Sequence, residues 1–150
     1  MILRITELNE TIRKDLTILG EKFYPASGLN GTFRPGTFMT FISELLSRGI
    51  MALWASFDGD RMTGTIGMQI SISLPDGVTT VEEVFWFVDP EHRGTTGVRL
   101  FHAAEEWAKQ SGAKRMVMAR MLAGDSEKVG DFYERHNFKP LQTQYFKELC

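Results

Sequence analysis

The sequence predicts an α/β domain whose mixed β-sheet contains an antiparallel meander and is flanked by helices. Its 150 residues suggest a single domain spanning residues 1–150. Apolar residues make up 43% and charged residues 24%, which is ordinary for a globular protein and argues against disorder. The hydrophobic patterns change between helical and strand spacing along the chain, and they predict the order β-α-α-β-β-β-α-β-α-β.

The first third of the chain predicts a short strand and two helices joined by a loop. Residues 2–5 suit a strand, and Asn9 is a suitable N-cap for the first helix. Apolar residues then follow at spacings of four, three and four up to Phe23, which places them on one helix face. Prolines and glycines make residues 24–36 a loop, and a second helix runs from about Thr37 to Gly49.

The middle of the chain predicts three antiparallel strands. Residues 50–57 form an apolar run that ends at an Asp-Gly-Asp turn signal. Residues 63–73 alternate apolar and polar side chains, and a Leu-Pro-Asp-Gly turn follows them. Residues 78–88 end in a continuous apolar run, which suits a strand covered on both faces.

The last third predicts two helices and two more strands. An apolar stripe after Pro90 predicts a helix that ends at Gly112, and residues 115–120 suit a short strand. Asp125 or Ser126 caps a further helix. Residues 142–147 complete the pattern as a last strand.

Composition and charge exclude several classes of protein. The net charge of −2 and the lack of a long basic run argue against a protein that coats nucleic acid. Cys150 is the only cysteine, which excludes an intrachain disulfide and the Cys₄ and Cys₂His₂ zinc patterns, and we expect no metal. Without an apolar run of 18 residues or a signal-peptide layout, we expect no membrane partner and a cytoplasmic location.

The segment 88–98 is the most informative part of the sequence. A buried strand meets a proline, two glycines follow, and a helix begins. The first amides of a helix lack internal partners and, with the helix dipole, form an anion site. Arg93 adds a permanent positive charge, so the segment is interpreted as a pyrophosphate cradle. The alternative is a plain strand–turn–helix with a glycine-rich turn.

Two motifs resemble the GNAT acetyltransferase superfamily. They are the Val-x-Pro-x-x-Arg-Gly junction and the later Phe-Tyr-Glu-Arg-His-Asn-Phe, within residues 84–112 and 126–138, and the order of elements agrees along nearly the whole chain. The resemblance implies acetyl-CoA as cosubstrate, a pyrophosphate loop, and a pantetheine arm paired with the preceding strand. The residues that it places at this cofactor are Phe87, Val88, Arg93, Gly94, Thr95, Thr96, Gly97, Val98 and Ser126.

The pyrophosphate loop departs from the family pattern. Counted from Arg93, Thr96 and Val98 occupy the two glycine positions; counted from His92, Thr95 and Gly97 occupy them. Both counts leave backbone amides to donate, because every residue except proline has one. The register of the loop therefore stays open at this point.

The second motif supplies a candidate acid. Tyr133 matches the tyrosine that, in many members of the family, protonates the thiolate of CoA. A phenol with a pKa near 10 is well matched to a thiolate of similar basicity. The alternative for Tyr133 is an aromatic core residue beside Phe132. Asn137 stands where the family has the glycine that ends the helix, and asparagine tolerates the left-handed conformation.

Two adjacent carboxylates are candidates for the general base. In several family members a glutamate on the strand before the cradle accepts the amine proton, and Glu82 and Glu83 lie there. Strand residues alternate faces, so only one of them points into the cleft unless a bulge intervenes. The alternative is that both are surface carboxylates.

The resemblance predicts transfer of an acetyl group from acetyl-CoA to a primary amine, by direct attack in a ternary complex. The alternative is a non-catalytic acyl-CoA-binding or protein-interaction domain on the same fold. We expect a small-molecule or peptide amine as acceptor, shaped by the loop 24–34, and no nucleic-acid partner. A homodimer is common for the fold, and the sequence leaves the oligomeric state open.

Overall fold

The computed structural model describes residues 1–122 and 126–149, with Ser126 described in its backbone only. One five-stranded sheet has the order β1-β2-β3-β4-β5, in which β1 to β4 are antiparallel neighbours and β5 is parallel to β4. The strands are β1 Ile2–Ile5, β2 Met51–Asp58, β3 Arg61–Ile72, β4 Thr79–Val88 and β5 Arg115–Val117. The helices are α1 Glu10–Phe23, α2 Pro35–Ser47, α3 Thr95–Gln110 and α4 Ser126–Arg135.

Each face of the sheet is covered by helices. One cluster joins α1 and α2 to the sheet through buried side chains such as Leu16, Ile42 and Leu53. The other joins α3 to the opposite face, with Ile66 and Leu100 at its centre. Side chains on a strand alternate between these two clusters, which explains why strands covered on both faces are apolar throughout. Within the described residues, no helix is long and apolar enough to cross a membrane.

The predicted fold class is confirmed, but the bounds of several elements differ from the prediction. Helix α2 begins at Pro35, two residues earlier than predicted, because proline at the first helical position lacks only an amide that would be unpaired there. A short 3₁₀ turn, Tyr24–Ser27, lies within the predicted loop. Strand β5 ends at Val117 rather than at residue 120.

The predicted last strand is wrong. Residues 142–147 have no strand conformation, and the exposed fractions of Leu141 and Tyr145 are 71% and 92%. Strand propensity is a local property, whereas a strand also needs a neighbouring edge to pair with its backbone. Residues 142–147 do not pair with the sheet although β4 beyond Glu82 and the outer side of β5 are unpaired among the described residues, and the sequence pattern could not show this.

A β-bulge in β4 opens a fork in the sheet. Gly67 of β3 pairs with Phe85 and Met68 pairs with Glu83, so Val84 is an extra residue on β4. Strand β5 pairs only with residues 80–82, just before the bulge. Beyond that point β4 continues to Val88 without a partner on the β5 side among the described residues. The fork leaves free backbone groups on β4 beside the start of α3.

The prediction that Asn137 ends a helix in the left-handed conformation is confirmed. Its φ is +66°, and the following Phe138 amide donates to the Tyr133 carbonyl at 2.9 Å. We expect Asn137→Gly to be neutral or slightly stabilising. We expect Asn137→Val to lower the free energy of unfolding by about 1 kcal/mol or more, because a β-branched residue is strained at positive φ.

Urea unfolding of the two variants measures this difference. Asn30→Val, at an exposed loop position without positive φ, is the matched control and should change stability little. Equal stabilities of Asn137→Gly and Asn137→Val would contradict the strain at residue 137.

Candidate active site

The start of α3 presents four unpaired backbone amides. Gly94 has a φ of +96°, which favours glycine, and it precedes the first helical residue, Thr95. The first backbone bond of the helix runs from the Val98 amide to the Gly94 carbonyl at 3.2 Å. The amides of residues 94–97 precede that bond, and no side chain caps them in the described part of the chain. This arrangement suits an anion.

The structure also indicates which residues of the predicted loop can donate. Gly97 is buried, and a Cβ there would lie 3.6 Å from Val88 and 3.7 Å from Trp86. Thr95 is exposed and Thr96 is partly exposed, so both hydroxyls lie near solvent at the helix start. The Val98 amide is already bonded within the helix, so it does not offer a donor to a ligand. The donors are therefore residues 94–97.

Arg93 lies between the end of β4 and the end of α1. Its Nε donates to the Val88 carbonyl at 3.4 Å, and its guanidinium carbon lies 6.0 Å from the ring centre of Phe23. The side chain is exposed and lies beside the four amides in sequence. Its positive charge adds to the positive end of the helix dipole.

Phe87 and Val88 form the end of the unpaired edge of β4. On the β3 side they pair with Thr65 and Gly64. The Phe87 ring stacks on Phe23 at 5.4 Å, while Val88 packs on the α3 face. Their side chains are thus committed to the two cores. The Asp89 amide donates to the Thr63 carbonyl, so strand alternation turns the Phe87 backbone toward β3 and the Val88 backbone toward the fork, where its carbonyl accepts Arg93 Nε.

Asp89 is a buried carboxylate that sequence reasoning missed. Its side chain is 3% exposed and accepts from Lys22 at 2.7 Å and from Arg61 at 2.6 Å. The Lys22 ammonium holds the pKa of Asp89 below its ordinary value, with help from Arg61. The two ion pairs tie the end of β4 to α1 and β3 directly before the amide loop. A lone aspartate before proline carries no signal of such distant partners.

A continuous wall of aromatic rings lies on the α1 and α2 face of β4. Neighbouring ring centres in the wall are 5.3 to 6.1 Å apart. Its members are Phe23, Tyr24, Phe33, Phe38, Phe85 and Phe87. A Cβ on Gly20 would lie 2.7 Å from the Phe33 ring, so glycine at that position allows the ring to pack there. All but Phe85 are partly exposed, which leaves an apolar surface beside the fork.

Tyr133 lies on α4 with its hydroxyl in the fork. The side chain is buried, and the hydroxyl donates to the Ala119 carbonyl at 2.7 Å and lies 3.4 Å from Glu83 Oε2. Burial raises the pKa of Tyr133 well above its ordinary value, and the Glu83 carboxylate raises it further. In the folded protein the pKa of Tyr133 is therefore not close to that of a thiol, contrary to the expectation from the sequence.

The two adjacent glutamates have different environments. Glu83 is partly buried on the face toward α4, where its Oε2 accepts the Ala119 amide at 3.0 Å. Burial raises the pKa of Glu83 to about 7, although the bonds from Ala119 and Tyr133 oppose this. Glu82 is exposed and, by strand alternation, lies on the face of α1 and α2, opposite Gln69. The bulge follows both residues and does not bring them to one face.

Trp86 of β4 packs in the core on the α3 side of the sheet. Its ring packs against Phe101 at 6.0 Å and Phe132 at 5.8 Å, between β4, α3 and α4. Its Nε1 is buried and has no hydrogen-bond partner among the described residues. An orphaned buried donor next to the fork fits a site that takes a polar ligand.

Ser126 and His102 lie on α4 and α3 respectively. The side chain of Ser126 lies outside the described residues, so its predicted contact with the cofactor stays a prediction. His102 has an ion-pair distance of 3.8 Å to Glu105 on the same helix. Within residues 1–122 and 126–149, no three histidine, cysteine or carboxylate side chains are grouped so that they could hold a metal ion.

A match to a family profile identifies the family of this chain. The profile of the acetyltransferase (GNAT) family matches residues 23–138, well over half of the chain. The chain therefore belongs to the GNAT acetyltransferase family, which places it among the acyltransferases, as the two motifs predicted. No curated protein is a significant match to the sequence.

Solved structures share the fold at low sequence identity. A predicted acetyltransferase from Clostridium acetobutylicum, crystallised with acetyl-CoA, is 11% identical with a TM-score of 0.77, covering 99% of this chain and 97% of its own. An aminoglycoside 6'-N-acetyltransferase from Acinetobacter haemolyticus is 17% identical with a TM-score of 0.73, covering 100% and 99%. A transcriptional regulator from Bacillus halodurans is 16% identical with a TM-score of 0.77, covering 99% and 100%. The fold alone thus does not select an acceptor.

The raised pKa of Glu83 predicts a pH-dependent contribution to stability. The folded-state value of about 7 exceeds the ordinary 4.5, so the folded state holds this proton more tightly. This stability is fully present below pH 4.5 and is lost as the pH rises from there through 7, by about 3 kcal/mol in total. Glutamine does not ionise, so Glu83→Gln lacks this loss. Relative to wild type, the free energy of unfolding of the variant should therefore be higher at pH 8 than at pH 4.5 by the same amount.

Urea unfolding at both pH values measures this gain. Glu82→Gln is the matched control, because it makes the same substitution at the exposed neighbouring position. Parallel pH dependences of wild type and Glu83→Gln would show that Glu83 is not held protonated by burial.

Proposed function

We propose that the chain transfers the acetyl group of acetyl-CoA to a primary amine, by direct attack of the amine in a ternary complex. The observation that carries this proposal is the juxtaposition of the β4 fork with the free amides of α3. The β4 fork offers strand-like backbone pairing to the extended arm of acetyl-CoA. The amides at the start of α3 offer hydrogen-bond donors and the helix dipole to its phosphates. Family membership supports both the cosubstrate and the reaction class.

In this proposal, four parts of the chain contact acetyl-CoA. The amides of residues 94–97 and the Arg93 guanidinium bind the pyrophosphate. At the end of β4, formed by Phe87 and Val88, the fork-facing backbone of Val88 pairs with the pantetheine arm. The buried Nε1 of Trp86 offers one further donor at the fork. Ser126 is a further proposed contact.

The acceptor amine enters from the face of α1 and α2. The aromatic wall lies on that side, and Glu82 is the exposed carboxylate there. Glu82 accepts the amine proton, directly or through a water molecule, so that the nitrogen can attack the acetyl carbon. Glu83 is the less suitable base, because it lies on the other face and is bonded to Ala119.

Two groups stabilise the remaining steps of the transfer. A backbone amide near Val88 donates to the oxygen on which negative charge develops. The Tyr133 hydroxyl gives its proton to the departing sulfur, after turning away from the Ala119 carbonyl. Both groups lie along the fork, on β4 and on the facing α4.

Ligand binding followed by transfer tests the proposal. Acetyl-CoA at one hundred times its Kd should add about 2.7 kcal/mol to the free energy of unfolding, and CoA should bind similarly. Release of CoA is then followed with a panel of polyamines, aminoglycosides, amino acids and peptides. No heat of binding and no melting shift with either ligand would refute the proposal. Binding without transfer to any amine would favour a non-catalytic acyl-CoA-binding domain, the second function that this fold permits.

Arg93→Ala should weaken CoA binding by roughly 1.5–3 kcal/mol, because a charge-assisted bond to phosphate is lost. Arg48→Ala is the matched control, since Arg48 is exposed and pairs with Glu44 on α2. Calorimetric titration with CoA, dephospho-CoA and pantetheine measures the loss and assigns it to one part of the ligand. If Arg93→Ala binds CoA as tightly as wild type, Arg93 serves the fold and not the cosubstrate.

A further inference from the structure

The strongest unexplained feature of the molecule is the group formed by Glu83, Ala119 and Tyr133 inside the fork. Glu83 Oε2 accepts from the Ala119 amide at 3.0 Å and lies 3.4 Å from the Tyr133 hydroxyl. The hydroxyl itself donates to the Ala119 carbonyl at 2.7 Å. Three polar groups from β4, the segment after β5 and α4 thus meet at one point. The transfer mechanism above assigns no role to the Glu83 carboxyl.

We propose that Glu83 is a positioning residue that returns a proton to Tyr133 each time Tyr133 has protonated the leaving sulfur. This inference rests on the proposed function and adds a proton relay to it. Glu83 acts through Tyr133 and does not itself touch the acetyl group or the amine.

The relay balances without any further reactant. The O–H bond of Tyr133 breaks as an S–H bond forms on the leaving sulfur. The O–H bond of the Glu83 carboxyl then breaks as the Tyr133 hydroxyl is remade, and Glu83 is left as a carboxylate. Glu83 takes a proton from solvent before the next turnover. No atom is oxidised or reduced.

The direction of proton flow follows from the acidities of the groups. Tyr133 alone is a weak acid here, since burial and the Glu83 carboxylate both raise its pKa. The pKa of Glu83 is raised by burial to about 7, below the value of about 8.5 for an alkyl thiol. Net transfer from Glu83 to sulfur is therefore favourable by roughly thirty-fold.

The charged groups near Glu83 contact other partners, so burial and its two hydrogen bonds determine whether Glu83 is protonated. Arg115 of β5 is paired with Asp76 at 2.6 Å. The Arg120 guanidinium, after β5, lies against Gly130 of α4. Glu82 is on the opposite face of β4, and from α4 the group facing Glu83 is Tyr133. These neighbours do not provide an ion pair that would keep Glu83 ionised.

Glu83→Gln tests the relay, because glutamine still accepts the Ala119 amide but cannot lose a proton. The assay uses saturating substrates and an acceptor whose amine is neutral throughout the pH range. We expect wild-type kcat to fall as the pH rises through about 7. We expect Glu83→Gln to be at least about ten-fold slower at pH 6.5 and to lack this fall. In a Tyr133→Phe background, Glu83→Gln should have no further effect.

A wild-type pH profile in Glu83→Gln, or additive losses in the double variant, would overturn the relay. A second readout does not need turnover: the thiol of bound CoA is titrated by the ultraviolet absorbance of its thiolate. Removing the Glu83 charge should raise the thiol ionisation constant about three-fold or more, whereas a purely structural glutamate would leave it unchanged. If Glu83→Gln does not fold, Glu83→Met is titrated in its place.

The two proposals fail in different ways. CoA binding with the expected change in thiol titration, but without transfer to any amine, would refute the acetyl transfer and support the coupling of Glu83 to the sulfur. Transfer to an amine with an unchanged thiol titration and an unchanged pH profile would refute the relay and support the acetyl transfer.

Discussion

Replacing Tyr133 with phenylalanine is expected to lower kcat by about 10²–10⁴-fold while CoA affinity changes little. The substitution removes one oxygen and keeps the ring, which packs on Trp86 at 6.4 Å and on Phe138 at 5.4 Å. Because the acid that protonates the sulfur is lost, the basic limb of the pH–rate profile should also change. Steady-state kinetics and calorimetric CoA titration measure the two effects separately.

Tyr145→Phe is the matched control for this prediction. Tyr145 is 92% exposed and lies outside the fork, so its hydroxyl should not affect turnover. If the Tyr133 hydroxyl serves only to bond Ala119, Tyr133→Phe would lose about 1 kcal/mol of stability and keep normal turnover. A wild-type rate in Tyr133→Phe would assign the acid role to water or to another residue.

Phe101→Ala is expected to lower the free energy of unfolding by about 3–5 kcal/mol. Phe101 of α3 is fully buried, and three rings of α4 and its end pack on it. These rings are Phe132 at 5.0 Å, His136 at 5.4 Å and Phe138 at 5.9 Å. The cavity left by alanine would loosen α4, which carries Tyr133, so turnover should fall together with stability.

Urea unfolding and kcat, measured on the same preparations, test the role of Phe101. Phe41→Ala removes the same side chain from a position that is 63% exposed, and it should change both quantities little. A loss below about 1.5 kcal/mol in Phe101→Ala would show that α4 is held in place by other contacts.

The local sequence determined most of the secondary structure and the start of the anion site. The apolar spacing up to Phe23 and the cap at Asn9 define α1, since both signals lie within a few residues of each other. The glycines and proline of residues 90–97 predict the strand–turn–helix that the structure contains. Asn137 likewise follows from a local rule about positive φ.

Only the tertiary structure decided which groups meet in the fork. The extra residue at Val84 depends on pairing with β3, and the early end of β5 depends on where β4 turns away. Residues 142–147 do not form a strand, because a strand needs backbone pairing as well as local propensity and no local pattern records that pairing.

The electrostatic character of the site was likewise decided by distant contacts. Glu82 and Glu83 are equivalent in sequence, but one is exposed and the other meets the Ala119 amide and the Tyr133 hydroxyl. Burial and hydrogen bonds set the acidity of Glu83, and both depend on residues far along the chain. Local periodicity thus determined the helices and strands of this protein, whereas long-range packing determined which titratable side chains, such as Glu83 and Tyr133, they bring together.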